Sequence, residues 1–320
     1  MNNELLICSY SKKGDDLINI LKLKNYKQKI KWQMLNNRYI QNLIINYIGF
    51  TPKTKEELKE AVKLWNSDKK KAIKKYGDIN TWNVHNITDM SSLFEGCTYF
   101  NDNINNWNVS NVINMNRMFA FCYRFNQSLN HWNVSNVTNM GHMFSNCGEF
   151  NKELNNWDVS NVANMRRMFS GCEKFDKPLD NWDVSSVTNM NHMFSFCYSF
   201  VQSLNNWSGN KVPNLDTKCQ RNVSNVTNMS GMFDCCANFN QPLDNWSGNK
   251  VPNLDTKCQR DVSNVTNMEG TFFGCKIFNQ SLNNWNVSNV TNMINIFCYC
   301  EKFNQPLNNW SGNKVPNLGT

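Results

Sequence analysis

Residues 132–156 read WNVSNVTNMGHMFSNCGEFNKELNN, and the Trp that opens this stretch returns at 157. Trp132 and Val134 stand two apart, so in an extended chain they share one side while Asn133 faces the other. The pattern L/IxxWxV, as in Leu129 to Val134 or Ile104 to Val109, therefore predicts a short strand. Met140, Met143, Phe144 and Cys147 follow at spacings of three, one and three, a single stripe of a short helix, with Thr or Asn available to cap its start. Phe150 and Leu154 then turn the chain back toward the next strand. One such unit cannot bury these side chains alone, but copies stacked on both sides can.

The copies are present. Trp recurs at 82, 107, 132, 157, 182, 207, 246, 285 and 310, in steps of 25 except for two steps of 39. Cys (97, 122, 147, 172, 197, 236, 275, 300) and Phe (100, 125, 150, 175, 200, 239, 278, 303) keep the same register. A fixed period of this size marks a solenoid or similar array, in which the core is the stack of equivalent side chains. With parallel strands about 4.8 Å apart, eight turns make a curved rod roughly 40 Å long.

The multiplied unit accounts for an unusual composition. Of 320 residues 60 are Asn and 11 are Trp, while hydrophobic content is 40%. The net charge of +8 is local: residues 1–78 hold 17 Lys+Arg against 8 Asp+Glu, and residues 79–320 hold 16 against 17. Only the N-terminal region thus has reason to attract nucleic acid or an acidic membrane. No run approaches the roughly 18–20 apolar residues of a membrane span.

The run MFxxCxxFxxxLxxWxVSxVTxM resembles the BspA-like class of leucine-rich repeats, in the 25-residue Asn- and Trp-rich version found in mycoplasma and other bacterial surface proteins and in giant DNA viruses. The resemblance covers residues 79–318, and FTPKTKEELKEAVKLWNSDKKKAIKKYGDINTWNV (50–84) is similar to the lead-in of that family. It implies an α/β leucine-rich-repeat solenoid with one short parallel strand and one short helix per turn, preceded by a helical N-terminal cap, and a role in adhesion or protein interaction. Bacterial members are exported or lipid-anchored, whereas the start MNNELLICSYSKKGDD lacks a basic segment followed by a long apolar core. The expectation is an intracellular protein, in the host cytoplasm if the source is viral, with the virion or cell surface as the alternative.

Two regions follow, 1–78 and 79–320, the second carrying identical 14-residue insertions, SGNKVPNLDTKCQR, at 208–221 and 247–260. Each insertion interrupts a predicted strand just after Trp and should leave a bulged or disordered edge. In the first region, residues 15–48 suggest one or two helices. Thr54 with Glu57 forms a capping box for a helix to about Trp65, and Ser67 caps a second that ends at Gly77.

Few residues suggest chemistry. Eight cysteines form a buried ladder, and the close pairs Cys235–Cys236 and Cys298–Cys300 lack the four convergent ligands of a zinc site. The four His have no nucleophile or carboxylate at a catalytic spacing, so neither enzyme activity nor a cofactor is expected. Outward strand positions are nearly constant Asn, Asp and Ser, whereas outward helical positions vary. A protein partner is therefore expected on the variable face, at Arg117, His142, Arg166, Arg167 and His192, with Lys211, Lys218, Arg221, Lys250, Lys257 and Arg260 as candidates on the insertions. The expected function is a non-enzymatic interaction or scaffold module. The alternatives are a surface or virion adhesion protein binding host protein or glycan, and a substrate-recognition adaptor that docks through residues 1–50.

Overall fold

The Met–Phe–Cys stripe is buried as its spacing predicts, but its backbone is not helical. In the computed structural model, which describes residues 49–208, 223–246 and 262–310, alternate amides of this segment point to the next unit. Met140, His142, Phe144 and Asn146 donate to the carbonyls of Asn164, Arg166, Met168 and Ser170 at 2.7–3.0 Å. The amides between them close tight turns: Met143 to Met140, Ser145 to His142 and Cys147 to Phe144, at 3.0–3.1 Å. A helix would send every amide four residues back along its own chain. Left-handed φ angles at two positions of the unit prevent that, as at Arg117 (58°) and Phe121 (62°), and at His142 (57°) and Asn146 (59°). For a non-Gly residue this conformation costs about 1–2 kcal/mol. Two inter-unit bonds, each about 0.5–1.5 kcal/mol net, are of comparable size.

The predicted strands do not form. Trp and Val of each WxV lie on the buried side and the residue between them is exposed or nearly so, but among the described residues parallel pairing occurs only five residues past that Val, as isolated bridges one residue wide. These run Asp89–Asn114–Asn139–Asn164–Asn189–Asn228–Asn267–Asn292. The Asn at that position spends its side chain on the turn itself, as when Asn139 Oδ1 accepts from the Gly141 amide at 3.0 Å.

The core is a set of parallel columns. Phe119 and Phe144 stack at 5.6 Å with 1° between ring planes, Phe125 and Phe150 at 6.0 Å with 4°, and Trp132 and Trp157 at 6.5 Å with 3°. Polar atoms on these columns are satisfied from unit to unit. From Trp107 onward each indole donates to the carbonyl of the Leu or Ile three residues before the preceding ladder Trp, for example Trp157 Nε1 to Leu129 O at 3.2 Å and Trp182 Nε1 to Leu154 O at 2.9 Å. Each ladder thiol from Cys122 onward donates to a Phe carbonyl, as Cys147 does to Phe119 O at 2.9 Å. Surface Asn side chains also reach across, mostly to backbone: Asn136 Nδ2 donates to Ser110 O at 2.7 Å, and Asn126 Oδ1 accepts from the Asn151 amide at 3.0 Å.

The 39-residue steps do not disturb this register. Trp207 and Trp246 stack at 6.3 Å, and Trp246 Nε1 still donates to Leu204 O at 3.1 Å. The chain enters the insertions through short 3-10 turns, Asn205–Ser208 and Asp244–Trp246, instead of strands. The predicted bulges, like the helices of residues 15–48, lie outside the described residues.

Before the first unit, α1 (Lys55–Ser67) and α2 (Lys69–Tyr76) are the only α-helices among the described residues. Thr54 caps α1, accepting from the Glu57 amide at 3.2 Å, but Glu57 returns to the Lys53 amide instead of closing the box on Thr54. The cap of α2 is Asp68, not Ser67: its carboxylate accepts from the Lys71 amide at 2.9 Å, while Ser67 completes α1. Gly77 ends α2 at φ 74°. Phe50, Trp65 and Tyr76 all place rings within 6 Å of Trp82, extending the aromatic column over the exposed side of the first unit. Lys55 bonds Asp89 and Ser91, and Trp65 Nε1 and Lys69 both bond Asp102, tying the helices to the repeats. Two lysines of the basic cluster are thus engaged in place, Lys69 over Trp65 and Lys75 over Tyr76.

Replacing Trp157 with Phe keeps a ring in the column but leaves the Leu129 carbonyl buried without its donor. The expected loss is about 2–3 kcal/mol of unfolding free energy, measured by urea titration with circular dichroism. A loss below about 0.5 kcal/mol would show that the indole bond contributes little.

Candidate functional site

The left-handed positions decide which side chains face out. Ten residues past each ladder Trp, not counting insertions, the backbone passes through Ser92, Arg117, His142, Arg167, His192, Gly231, Gly270 and Asn295, all at positive φ. Neighbours in this column belong to adjacent units, so their charges act on one another. Arg117 pairs with Glu95 of the preceding unit at 2.9 Å. Burial would raise the Glu95 carboxyl, but hydrogen bonds from Ser92 and Arg117 outweigh it and hold the group below its usual range. His142 is pushed down to about 4, first by burial and then by Arg117, Arg166 and Arg167 around it. His192 is also lowered, by burial and by Arg167, although Asp234 opposes this with Oδ2 at 3.8 Å from Nδ1.

Past His192 the column loses its side chains, and a groove of about 620 Å³ opens there. Gly231 is required for it: a Cβ built there would lie 2.3 Å from the His192 ring, which rests on the glycine. Gly270 in the next unit continues the opening. From unit to unit the lining runs from Arg166 and Arg167, through His192 and Phe196, to Asp234 and then to Glu269 and Phe273, with His192 Nδ1 and Asp234 Oδ2 facing each other at 3.8 Å. Arg166 Nε donates to Asn191 Oδ1 at 3.2 Å, whereas Arg167 Nε is buried and has no hydrogen-bond partner among the described residues.

The Ser195 hydroxyl donates to Asp234 Oδ2 at 3.1 Å, so the carboxylate holds the serine and the imidazole does not. Burial, with Asp234 alongside, pushes the Cys235 thiol up to about 11 and keeps it protonated at neutral pH. Among the described residues no three His, Cys, Asp or Glu side chains converge as metal ligands. No helix among them is long and apolar enough to cross a membrane.

The structure brings Arg166, Arg167 and His192 into one groove. Arg117 and His142 lie farther along the same column, outside the groove lining. Lys211, Lys218, Arg221, Lys250, Lys257 and Arg260 fall outside the described residues. The variable positions are not on helices, as expected from spacing, but on the turns of the hydrogen-bonded segment. Phe196, Asp234 and Phe273 were missed by the sequence reading. Asp234 and Phe273 replace the Ser found at 145, 170 and 195 in the same register, a departure visible in the repeat alignment.

A family model described as "Mycoplasma protein of unknown function, DUF285" matches residues 57–162, 135–222, 219–260 and 257–320. No curated protein and no solved structure matches the chain.

Two outcomes test the site. Gly231→Ala should displace the His192 ring and destabilise the fold by more than Gly270→Ala, which shares the positive φ but has Phe273 Cβ at 3.6 Å as its nearest neighbour. Equal thermal shifts for the two variants would contradict the close His192 contact. The folded pKa of His142, about 4, lies below its ordinary 6.5, so the folded state favours the neutral ring. Its contribution to stability is therefore complete above about pH 6.5 and is lost as pH falls toward 4. His142→Asn should flatten the pH dependence of the melting midpoint across that window.

Proposed function

The chain belongs to the mycoplasma repeat family DUF285, and from that premise we propose that it is a non-enzymatic protein-interaction or scaffold module carried on a leucine-rich-repeat solenoid. The observation that carries this reading is the division of labour within the unit. The inward Trp, Met, Phe and Cys and the bridging Asn are held nearly constant to bond one unit to the next. The outward positions on the turns take Arg, His, Glu, Gly, Phe and Tyr in different units. Several of these are apolar and open to solvent: Phe121 is 50% exposed, Phe196 43% and Tyr198 44%. Exposed aromatic and Arg side chains on a rigid frame suit protein recognition. The groove beside His192 is where charge and aromatic surface come together.

The test is affinity purification with the full chain from native cells, beside a variant in which Phe121, Tyr123, Arg166 and Phe196 are replaced by Ser. A defined set of proteins retained by the wild type and lost from the folded variant supports the proposal. Retention of no protein, or of the same set by both chains, rejects this face as the interaction surface.

A further inference from the structure

The groove beside His192 carries a polarity that the repeat alone does not require. Arg166 and Arg167 come from the unit of Trp157, Asp234 from the unit of Trp207, and Glu269 from the unit of Trp246. Successive Phe rings on this path, Phe169, Phe194, Phe233 and Phe272, are 5.7, 5.9 and 5.5 Å apart. The cationic and acidic ends are therefore separated by two to three unit steps, on the order of 12–17 Å. His192 is partly matched by Asp234, but Arg167 forms no ion pair among the described residues, and its Nε is buried without a hydrogen-bond partner. An unpaired buried donor of a guanidinium is costly unless an acceptor completes it. Phe196 is exposed and lies in the unit of Trp182, between the arginines and the acidic residues, while Phe273, partly exposed, shares the unit of Glu269.

We propose that this groove binds an extended peptide segment of a partner protein that carries an acidic side chain and a basic side chain about four or five residues apart, with an apolar side chain between them. The inference rests on the interaction reading above and names the partner's chemistry. An extended chain rises about 3.3 Å per residue, so a separation of 12–17 Å corresponds to about four or five residues. The acidic side chain meets Arg166 and Arg167, where a carboxylate supplies an acceptor to the Arg167 guanidinium, which has none among the described residues. The basic side chain meets Asp234 and Glu269. The apolar side chain covers Phe196, in the unit between. A small zwitterion cannot span both ends, and a polyanion such as nucleic acid would meet the carboxylates of the acidic end.

The test pans a phage-displayed library of random twelve-residue peptides on the full-length protein and measures binding of the selected synthetic peptides by fluorescence anisotropy. Selected peptides should share the acidic–apolar–basic spacing. Glu269 is exposed and lies on the rim, so Glu269→Arg leaves the fold intact, as a thermal melt checks. It should weaken those peptides about tenfold and favour peptides in which the basic residue is replaced by an acidic one. Arg166→Glu should weaken the original peptides by a similar factor. Selection of peptides without the charge pair, or unchanged binding to Glu269→Arg, overturns the inference. If native proteins captured by the chain remain bound to Glu269→Arg, the peptide groove fails while the interaction reading stands; if the chain captures no protein, that reading itself fails.

Discussion

Every unit of this protein leaves part of its backbone hydrogen bonding unfinished, and its neighbour completes it. From Met140 to Asn146 alternate amides are satisfied by carbonyls 24 residues ahead, while those of Met143 and Ser145 close turns three residues back. Neither set alone would hold the segment, because short turns without neighbours are marginal and a lone edge would expose donors and acceptors. The arrangement demands left-handed φ at two places per unit, where eleven non-Gly residues are held. Only contacts from both sides over-determine such a backbone.

The same constraint shapes the surface. At the second left-handed position the side chain is thrown outward, so Phe121 and Phe196 are half exposed and Tyr299 is 71% exposed. The inward stripe is left to Met, Phe and Cys, whose columns are continuous from unit to unit. Outward side chains contribute little to that continuity, and the chemistry there differs between units without breaking the stack. The groove forms where two successive outward positions are Gly231 and Gly270, so that absent side chains, not a special backbone, create it. The 14-residue insertions show the same independence, since the rings on either side of each keep their 6 Å spacing.

The stack's first side is closed by rings in place of a further unit. Phe50, Trp65 and Tyr76 surround Trp82 much as another repeat would, and α1 and α2 are held there by Asp89 and Asp102 of the first unit. Terminal elements of this kind serve repeat proteins by covering apolar faces that no neighbour covers. They also explain why part of the lysine-rich segment is committed to fixed contacts.

Much was legible from residue spacing: the period, the buried identity of Trp, Val, Met, Phe and Cys, and the thiol ladder. The cap of α1 at Thr54 was legible too, whereas that of α2 shifted from Ser67 to Asp68 because the adjacent residue offers the better-placed acceptor. Spacings of three, one and three misled on secondary structure, because a chain of tight turns repeats side chains to one face nearly as a helix does. The groove was partly legible, through Arg166, Arg167 and His192, but Asp234, Glu269 and Phe273 come from units far away in the chain.

By itself the sequence determined which side chains are inward and that each unit must lie on its copies, because periodic apolar residues without a partner surface have nowhere else to be buried. Only the tertiary structure decided the backbone path, since whether an amide bonds three residues back or 24 ahead depends on a neighbour that no single unit contains. It also decided the groove, because a gap at Gly231 matters only when His192 and Asp234 are brought to its edge.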